Sequence, residues 1–246
     1  MEAAGRSLAI SPHLTRSLSC LGKSTYRQGR YQEAIGWHTK ALNIHRTVEP
    51  DHLASVADDL THLALCYQAS KDHAKAIEAY NMSLSIKRSI YNEEPNHPSI
   101  AVSLTLQANS FWSTGDFKKG LEQQKLSLEM LQRHYQGTPQ PDVATTFYHI
   151  GDHHIQHSQR TEAEEALQES IRIWRQLPSA PPDSMARSLC CLGRVFLARK
   201  QLERAIHMLE EGLEMFREVL PGDHEDIKSS ERFLEGTRAK IAAQLK

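Results

Sequence analysis

A leucine-type residue, a tiny residue beside it and an alanine twelve positions further on recur along this chain, and no single residue constrains the fold as much. The pattern reads Leu21-Gly22 with Ala34, Leu63-Ala64 with Ala76, Ile150-Gly151 with Ala163, and Leu192-Gly193 with Ala205; Gln107-Ala108 with Gly120 is a degraded copy. The tiny residues stand at 22, 64, 108, 151 and 193, giving intervals of 42, 44, 43 and 42. Such a period means a stack of one supersecondary unit. The 246 residues are therefore read as one elongated array, not as a number of globular domains.

Within each copy, apolar residues fall at helical spacing in two stretches separated by a breaker. Leu14, Leu18, Leu21, Gly22 and Thr25 share one face, Gly29 stands where a left-handed turn ends a helix, and Ala34, Ile35, Ala41, Leu42 and Ile44 form a second stripe. Each copy is expected to be a helical hairpin, the five lying at about 14–46, 56–90, 100–135, 143–177 and 185–219 within residues 12–226. The Gly and Ala columns let two helix axes approach closely, so Leu at Gly193 or Ala205 should overpack the junction at a cost of about 1 to 3 kcal/mol. Proline-bearing connectors such as EEPNHPS at 93–99 and APPDS at 180–184 are expected to stop one helix, with Asp or Ser capping the next. Residues 227–246 read as a solvating C-terminal capping helix. In the N-terminal segment, 1–11, Arg6-Ser7-Leu8-Ala9-Ile10 resembles second-helix endings such as Met82-Ser83-Leu84-Ser85-Ile86. That suits the tail of an upstream repeat in a longer array, or a short capping helix.

These residues are similar to the tetratricopeptide repeat (TPR), whose pattern sets Leu-Gly, Tyr, Ala, an aromatic, Ala and Pro at fixed offsets with a usual period of about 34 residues. The longer units here, with connectors reading NHPSIAVSL and PDVATTF, resemble the repeats of kinesin light chains and nephrocystin-3. The resemblance implies an all-α fold, a right-handed α-solenoid of about five TPR hairpins plus the capping helix, with the first helix of each pair lining a concave groove. It also implies a non-catalytic interaction scaffold or adaptor that binds a peptide or helical segment there. Once the packing columns are removed, Arg16, Lys23, His62, Asn109, Trp112, His149, Asp152, Arg187 and Arg194 remain as groove residues. Basic residues at both ends, with imidazoles, an amide and an indole between, suit an acidic peptide with an aromatic or aliphatic anchor. Charge reversal at Arg187 and Arg194 is expected to weaken such a ligand. The asparagine pairs of kinesin light chain repeats are absent from Leu60-Thr61-His62-Leu63-Ala64 and Leu104-Thr105-Leu106-Gln107-Ala108, and the two-carboxylate clamp of chaperone-binding repeats is not reproduced. The resemblance thus carries over the groove and not the ligand.

Other chemistry is sparse. His149, His153 and His157 are spaced four apart, as suits Zn²⁺, and His149 to His153 with Asp152 imitates a His-x-x-Glu-His signature. A metal-dependent hydrolase or metal-binding protein is the alternative reading. Against it, Gly151 is a packing residue and His154 fills the aromatic column of the repeat. Cys20, Cys66, Cys190 and Cys191 lack CxxC spacing and read as reduced packing thiols. No glycine-rich phosphate loop occurs, and no cofactor is expected. With 29 basic and 30 acidic residues, the net charge of -1 offers no global pull toward nucleic acid or a membrane surface. No apolar run spans a bilayer and the first residues lack a secretory pattern, so a cytoplasmic, non-enzymatic protein binder is expected. A third reading is a self-associating module that uses an unpaired N-terminal face.

Overall fold

Eleven α-helices and no strand form in the described residues, 12–48 and 52–244, of the computed structural model. Residues 1–11, with the likeness to a second-helix ending, lie outside them. Four hairpins pair α1 (Pro12–Arg27) with α2 (Tyr31–Val48), α3 (Leu53–Ala69) with α4 (His73–Ile90), α7 (Pro141–Gln156) with α8 (Arg160–Gln176), and α9 (Pro182–Ala198) with α10 (Leu202–Val219), and α5 (Pro98–Ser113) is followed by α6 (Phe117–Tyr135), whose first turns pack on it through Phe117, Gly120 and Gln123. A final helix, α11, runs over Glu225–Gln244. None of these helices is long and apolar enough to cross a membrane.

The hairpin turns repeat one backbone solution. Gly29, Lys71, Gly115, Ser158 and Lys200 have φ of 75°, 66°, 86°, 59° and 62°. At Lys71, the residue's own N–H donates to the Gln68 carbonyl at 3.0 Å and the Asp72 N–H donates to the Tyr67 carbonyl at 2.9 Å. The same pair of bonds closes the other four turns, which satisfies carbonyls left over at the helix end. Asp72 and Asp116 then cap the second helices, accepting from Lys75 N–H at 3.3 Å and Lys119 N–H at 3.2 Å.

The connectors differ from expectation. Pro98, Pro141 and Pro182 open α5, α7 and α9. The first helical residue has no use for its N–H, so these prolines start the following helix and do not stop the preceding one. Asp142 and Asp183 sit inside the first turn, where their charge complements the positive helix end. At α5 the cap is His97, whose Nδ1 accepts from the Ser99 N–H at 3.2 Å.

The chain divides into two compact units, residues 1–123 and 124–246. In each, a side chain four residues after the repeat's alanine fills the space over the tiny residue of the first helix. In the first unit these are His38 over Gly22 and Tyr80, clustered with Ala64 and Ala76. In the second they are Leu167 over Gly151 and Leu209 over Gly193, where an added Cβ would meet Cγ at 2.6 and 2.8 Å. The degraded copy has a cause. Trp112 lies so close to α6 that a Cβ at Gly120 would come within 2.6 Å of the indole, so alanine is excluded there.

A second register of small residues passed unread in the sequence. Ala57, Ala144 and Ala186 on first helices face Ser83, Ser170 and Gly212 on second helices, all buried. Ser83 donates to the Ala57 carbonyl at 2.7 Å and Ser170 to the Ala144 carbonyl at 2.8 Å. A Cβ at Gly212 would lie 3.0 Å from the Ala186 carbonyl. In the second unit, Ile227 and Leu234 of α11 join Leu209, Leu213 and Phe216 in one apolar cluster.

Candidate functional site

First helices of successive hairpins lie side by side, α1 against α3 in the first unit and α9 against both α7 and α11 in the second. Each arrangement leaves a cleft lined by side chains the packing columns do not use.

The cleft between α1 and α3 has a volume of about 320 Å³ and is lined chiefly by Arg16, Ser19, Lys23, His45, Asp58, Asp59 and His62. Its floor is a buried carboxylate. Asp59 accepts from Ser19 Oγ at 2.8 Å, has His45 Nδ1 at 2.6 Å on its other oxygen, and has His38 Nδ1 at 3.8 Å. Burial alone would raise the Asp59 carboxyl, but the nearby His38 imidazole and the hydrogen bonds with Ser19 and His45 outweigh burial and hold it below the ordinary carboxylate value. One carboxylate thus ties α1, α2 and α3 together. The rim is different: Arg16 and Lys23 are exposed and make no ion pair among the described residues. Half-buried His62 stacks on His38 with ring centres 5.2 Å apart, and burial followed by nearby Lys23 pushes its pKa down to about 4. At neutral pH it is therefore an uncharged imidazole, able to give or take a hydrogen bond.

The next inter-hairpin contact in this unit is also polar. Lys87 of α4 is buried and donates to Ser103 at 2.9 Å and to Thr61 at 3.2 Å, with Asp58 at 3.8 Å. Burial lowers its pKa, against the pull of Asp58. Lys87 stands in the register position of His45, and the corresponding residues of the second unit, Trp174 and Phe216, are apolar and buried.

The cleft among α7, α9 and α11 is smaller, about 130 Å³, with Tyr148, Asp152, Arg187, Cys191, Arg194 and Asp226 in its lining. Its cations are already matched. Arg187 pairs with Asp226 at 2.9 Å, while Arg194 lies 3.7 Å from Asp152 and over the Phe233 ring. Burial pushes the Cys190 and Cys191 thiols up to about 11 and 12, so neither is a thiolate nucleophile near neutral pH.

The other groove residues expected from sequence are dispersed. Trp112 is buried in its own hairpin against Gly120, so its indole is core and not groove lining. Asn109 is half-buried on α5, with its Oδ1 lacking a hydrogen-bond partner. His149 is half-buried beside the Tyr148 ring, and burial and then Arg187 push its pKa down to about 4. His153 is buried, with Gln124 Nε2 at 2.6 Å from Nδ1, and burial and then His149 push it down to about 3. His154 turns instead to Gln159 Oε1 at 2.7 Å. The four-residue spacing therefore does not converge, and among the described residues no group of three or more His, Cys, Asp or Glu side chains could hold a metal ion.

Sequence reasoning missed Asp59, His45 and Ser19. One signal was present: Asp59 occupies a register position filled by Ser103, Thr146 and Ser188 in later copies, all buried. A charge at an inward position needs partners.

The tetratricopeptide repeat family model matches residues 14–89, 60–133 and 142–218. No curated protein matches the sequence. Among solved structures, BtubC (BKLC) from P. vanneervenii is 20% identical with a TM-score of 0.68, over 86% of this chain and 83% of that one. The nearly identical TPR-like repeats assigned to a kinesin light chain of Podosopora anserina are 21% identical with a TM-score of 0.61, over 86% of this chain and 100% of that one. A Rap protein complexed with competence and sporulation factor is 16% identical with a TM-score of 0.70, over 90% of this chain and 64% of that one. At such identities the likeness is one of fold, an all-α solenoid.

Proposed function

Because the chain belongs to the tetratricopeptide repeat family and resembles kinesin light chain repeats in fold, we propose that it is a non-catalytic protein-interaction scaffold binding an acidic peptide segment in the α1–α3 cleft. The observation that carries this reading is the difference in charge pairing between the two clefts. A carboxylate approaching Arg187 or Arg194 has to displace Asp226 or Asp152. One approaching Arg16 and Lys23 meets cations without an ion-pair partner among the described residues, above a floor whose carboxylate is already satisfied. Desolvating such a pair costs less than breaking an existing one.

An exposed charge pair contributes only about 1 kcal/mol at most. Affinity therefore needs several contacts along an extended or helical segment, with side-chain pockets setting specificity. Neutral His62 supplies a hydrogen-bonding group beside the cations. The Rap protein, whose structure holds competence and sporulation factor, supports a protein or peptide as the class of partner. An adaptor role, joining the bound segment to a larger assembly, accords with the resemblance to kinesin light chains. The four free cysteines accord with work in the reducing cytoplasm.

Selection of peptides from a random display library against the purified chain tests the reading. Asp- and Glu-rich sequences should be enriched, and their retention should fall as salt is raised from 50 to about 200 mM, as surface charge contacts require. Enrichment of neutral or basic sequences would contradict it.

A further inference from the structure

Arg16 and Lys23 stand seven residues apart on α1, close to two helical turns, so they share one face with about 10 Å between them. Contacts of His38 with His62 and of His45 with Asp59 set α2 and α3 antiparallel. Since α1 is antiparallel to α2 in its hairpin, α1 and α3 run the same way. The bond from Ser19 to Asp59 at 2.8 Å fixes their relative level. His62, one turn beyond Asp59, therefore falls between the levels of Arg16 and Lys23, and all three line the same cleft of about 320 Å³. Each cation lies about 5 Å along the helix axis from the midpoint, within the span of its long side chain.

The surroundings of His62 are short of negative charge. Lys23 bears on it from α1, the His38 ring stacks on it from α2, and Lys87 bears on it from α4. Its own helix supplies Asp59, whose oxygens are already engaged by Ser19 and His45, and exposed Asp58, one turn nearer the start of α3 with Lys87 at 3.8 Å. Arg16, His45 and His52 are the remaining ionisable groups lining the cleft.

Resting on the reading of this cleft as the site of an acidic segment, we propose that Arg16, Lys23 and His62 form one oxyanion subsite that takes a phosphorylated side chain of that segment. A phosphate monoester carries a charge of about −1.5 to −2 and three acceptor oxygens, one for each donor group, whereas a carboxylate has one charge and two oxygens. Arg16 supplies a planar fork of donors, Lys23 a compact charge, and His62 a ring N–H. Entry of the anion breaks no ion pair of Arg16 or Lys23, since they make none among the described residues. The bound dianion stands beside the imidazole and favours its charged form, so His62 takes up a proton more readily in the complex. Asp58 opposes binding from the rim by like-charge repulsion.

The test titrates the full chain, at neutral pH and matched ionic strength, with inorganic phosphate and with capped glycine pentapeptides carrying phosphoserine, glutamate or serine at the centre. Imidazole and lysine side-chain NMR signals report binding. The phosphoserine peptide should bind about tenfold tighter than the glutamate peptide, and the serine peptide weakest. In its presence the titration midpoint of His62 should rise from about 4 by about one unit or more. Arg16→Gln and Lys23→Gln, both at exposed positions, should each cut the preference for phosphoserine to about threefold or less, and Asp58→Asn should strengthen phosphoserine binding about twofold. A glutamate peptide within about threefold of the phosphoserine peptide overturns the proposal, as does an unmoved His62 midpoint. Inorganic phosphate binding as tightly as the phosphoserine peptide also overturns it, assigning the subsite to a free anion. Acidic sequences enriched from the display library, together with equal binding of the two peptides, would remove the phosphate and leave the acidic-segment reading standing. Enrichment of neutral or basic sequences would remove both.

Discussion

The two units use one helical register and fill several matching positions with different chemistry, although the second also buries a polar contact of its own, Gln124 with His153. Where the first unit places His38 and Tyr80 over its tiny residues, the second places Leu167 and Leu209. Where the first joins hairpins through His45 with Asp59 and Lys87 with Ser103, the second uses Trp174 and Phe216. On the surface the relation reverses, since Arg16 and Lys23 of the first cleft make no ion pair among the described residues, whereas Arg187 and Arg194 of the second are ion-paired. The difference teaches that the repeat pattern fixes where side chains must be small and leaves open how the remaining space is filled. A buried polar contact contributes little net stability but is costly to break from one side. The first unit should therefore be the more fragile to single polar deletions.

That asymmetry can be broken first at Asp59. Asp59→Ala strands His45 and Ser19 in a buried setting and should cost about 3 kcal/mol, whereas Ser188→Ala, at the same register position in the second unit, should cost about 1 kcal/mol or less. Urea unfolding of the two variants compares them, and equal losses would remove the contrast.

Glycine substitutions give the next largest effect. An added Cβ at Gly212 would meet Cys190 Sγ at 2.6 Å and the Ala186 carbonyl at 3.0 Å, while one at Gly36 would meet nothing within 4 Å. Gly212→Ala should destabilise by about 2 kcal/mol. Gly36→Ala, in an open helical position, should stabilise by about 0.5 to 1 kcal/mol, and the same unfolding curves read both.

Acid sharpens the comparison from the other side. The imidazoles of His149 and His153 hold folded-state values of about 4 and about 3, below the ordinary 6.5. In the unfolded chain they take up protons as pH falls below 6.5 while the folded chain does not, so stability declines from there toward about 4. His62 acts in the same direction in the first unit. Asp59, held low, adds its loss only as pH falls through its own depressed value. Thermal melts of His153→Gln should show a shallower fall between pH 6.5 and 4.5 than wild type, at about those values. Parallel slopes would mean that His153 is not buried in its neutral form.

The smallest effect lies in the turns. Lys71, Ser158 and Lys200 hold left-handed conformations that glycine adopts at Gly29 and Gly115. Gly at any of the three should stabilise by at most about 1 kcal/mol, reduced by the greater freedom of the unfolded chain. Differential scanning calorimetry of the triple variant would add the three increments.

The hairpins were legible because Leu, Gly and Ala columns at helical spacing admit few other folds. The Ser83, Ser170 and Gly212 column keeps the same intervals, but serine does not read as a packing residue until its hydroxyl is seen bonding a carbonyl of the facing helix. Trp112 reads as groove lining from its spacing alone, and only the approach of Gly120 shows that the indole is core. Arg187 and Arg194 were legible as cleft residues but not as paired ones. Arg187 finds its carboxylate on α11, and Arg194 finds its own on α7, so pairing depends on how helices lie side by side.

The account stands most directly on which cations receive the ligand. An acidic peptide selected on the wild-type chain should be titrated by isothermal calorimetry into Arg16→Glu/Lys23→Glu and into Arg187→Glu/Arg194→Glu, with circular dichroism confirming that both fold. The account predicts a loss of about tenfold or more in affinity for the first pair, about 1.4 kcal/mol, and a change of less than about threefold for the second. The opposite ranking would contradict it, placing the ligand in the cleft among α7, α9 and α11.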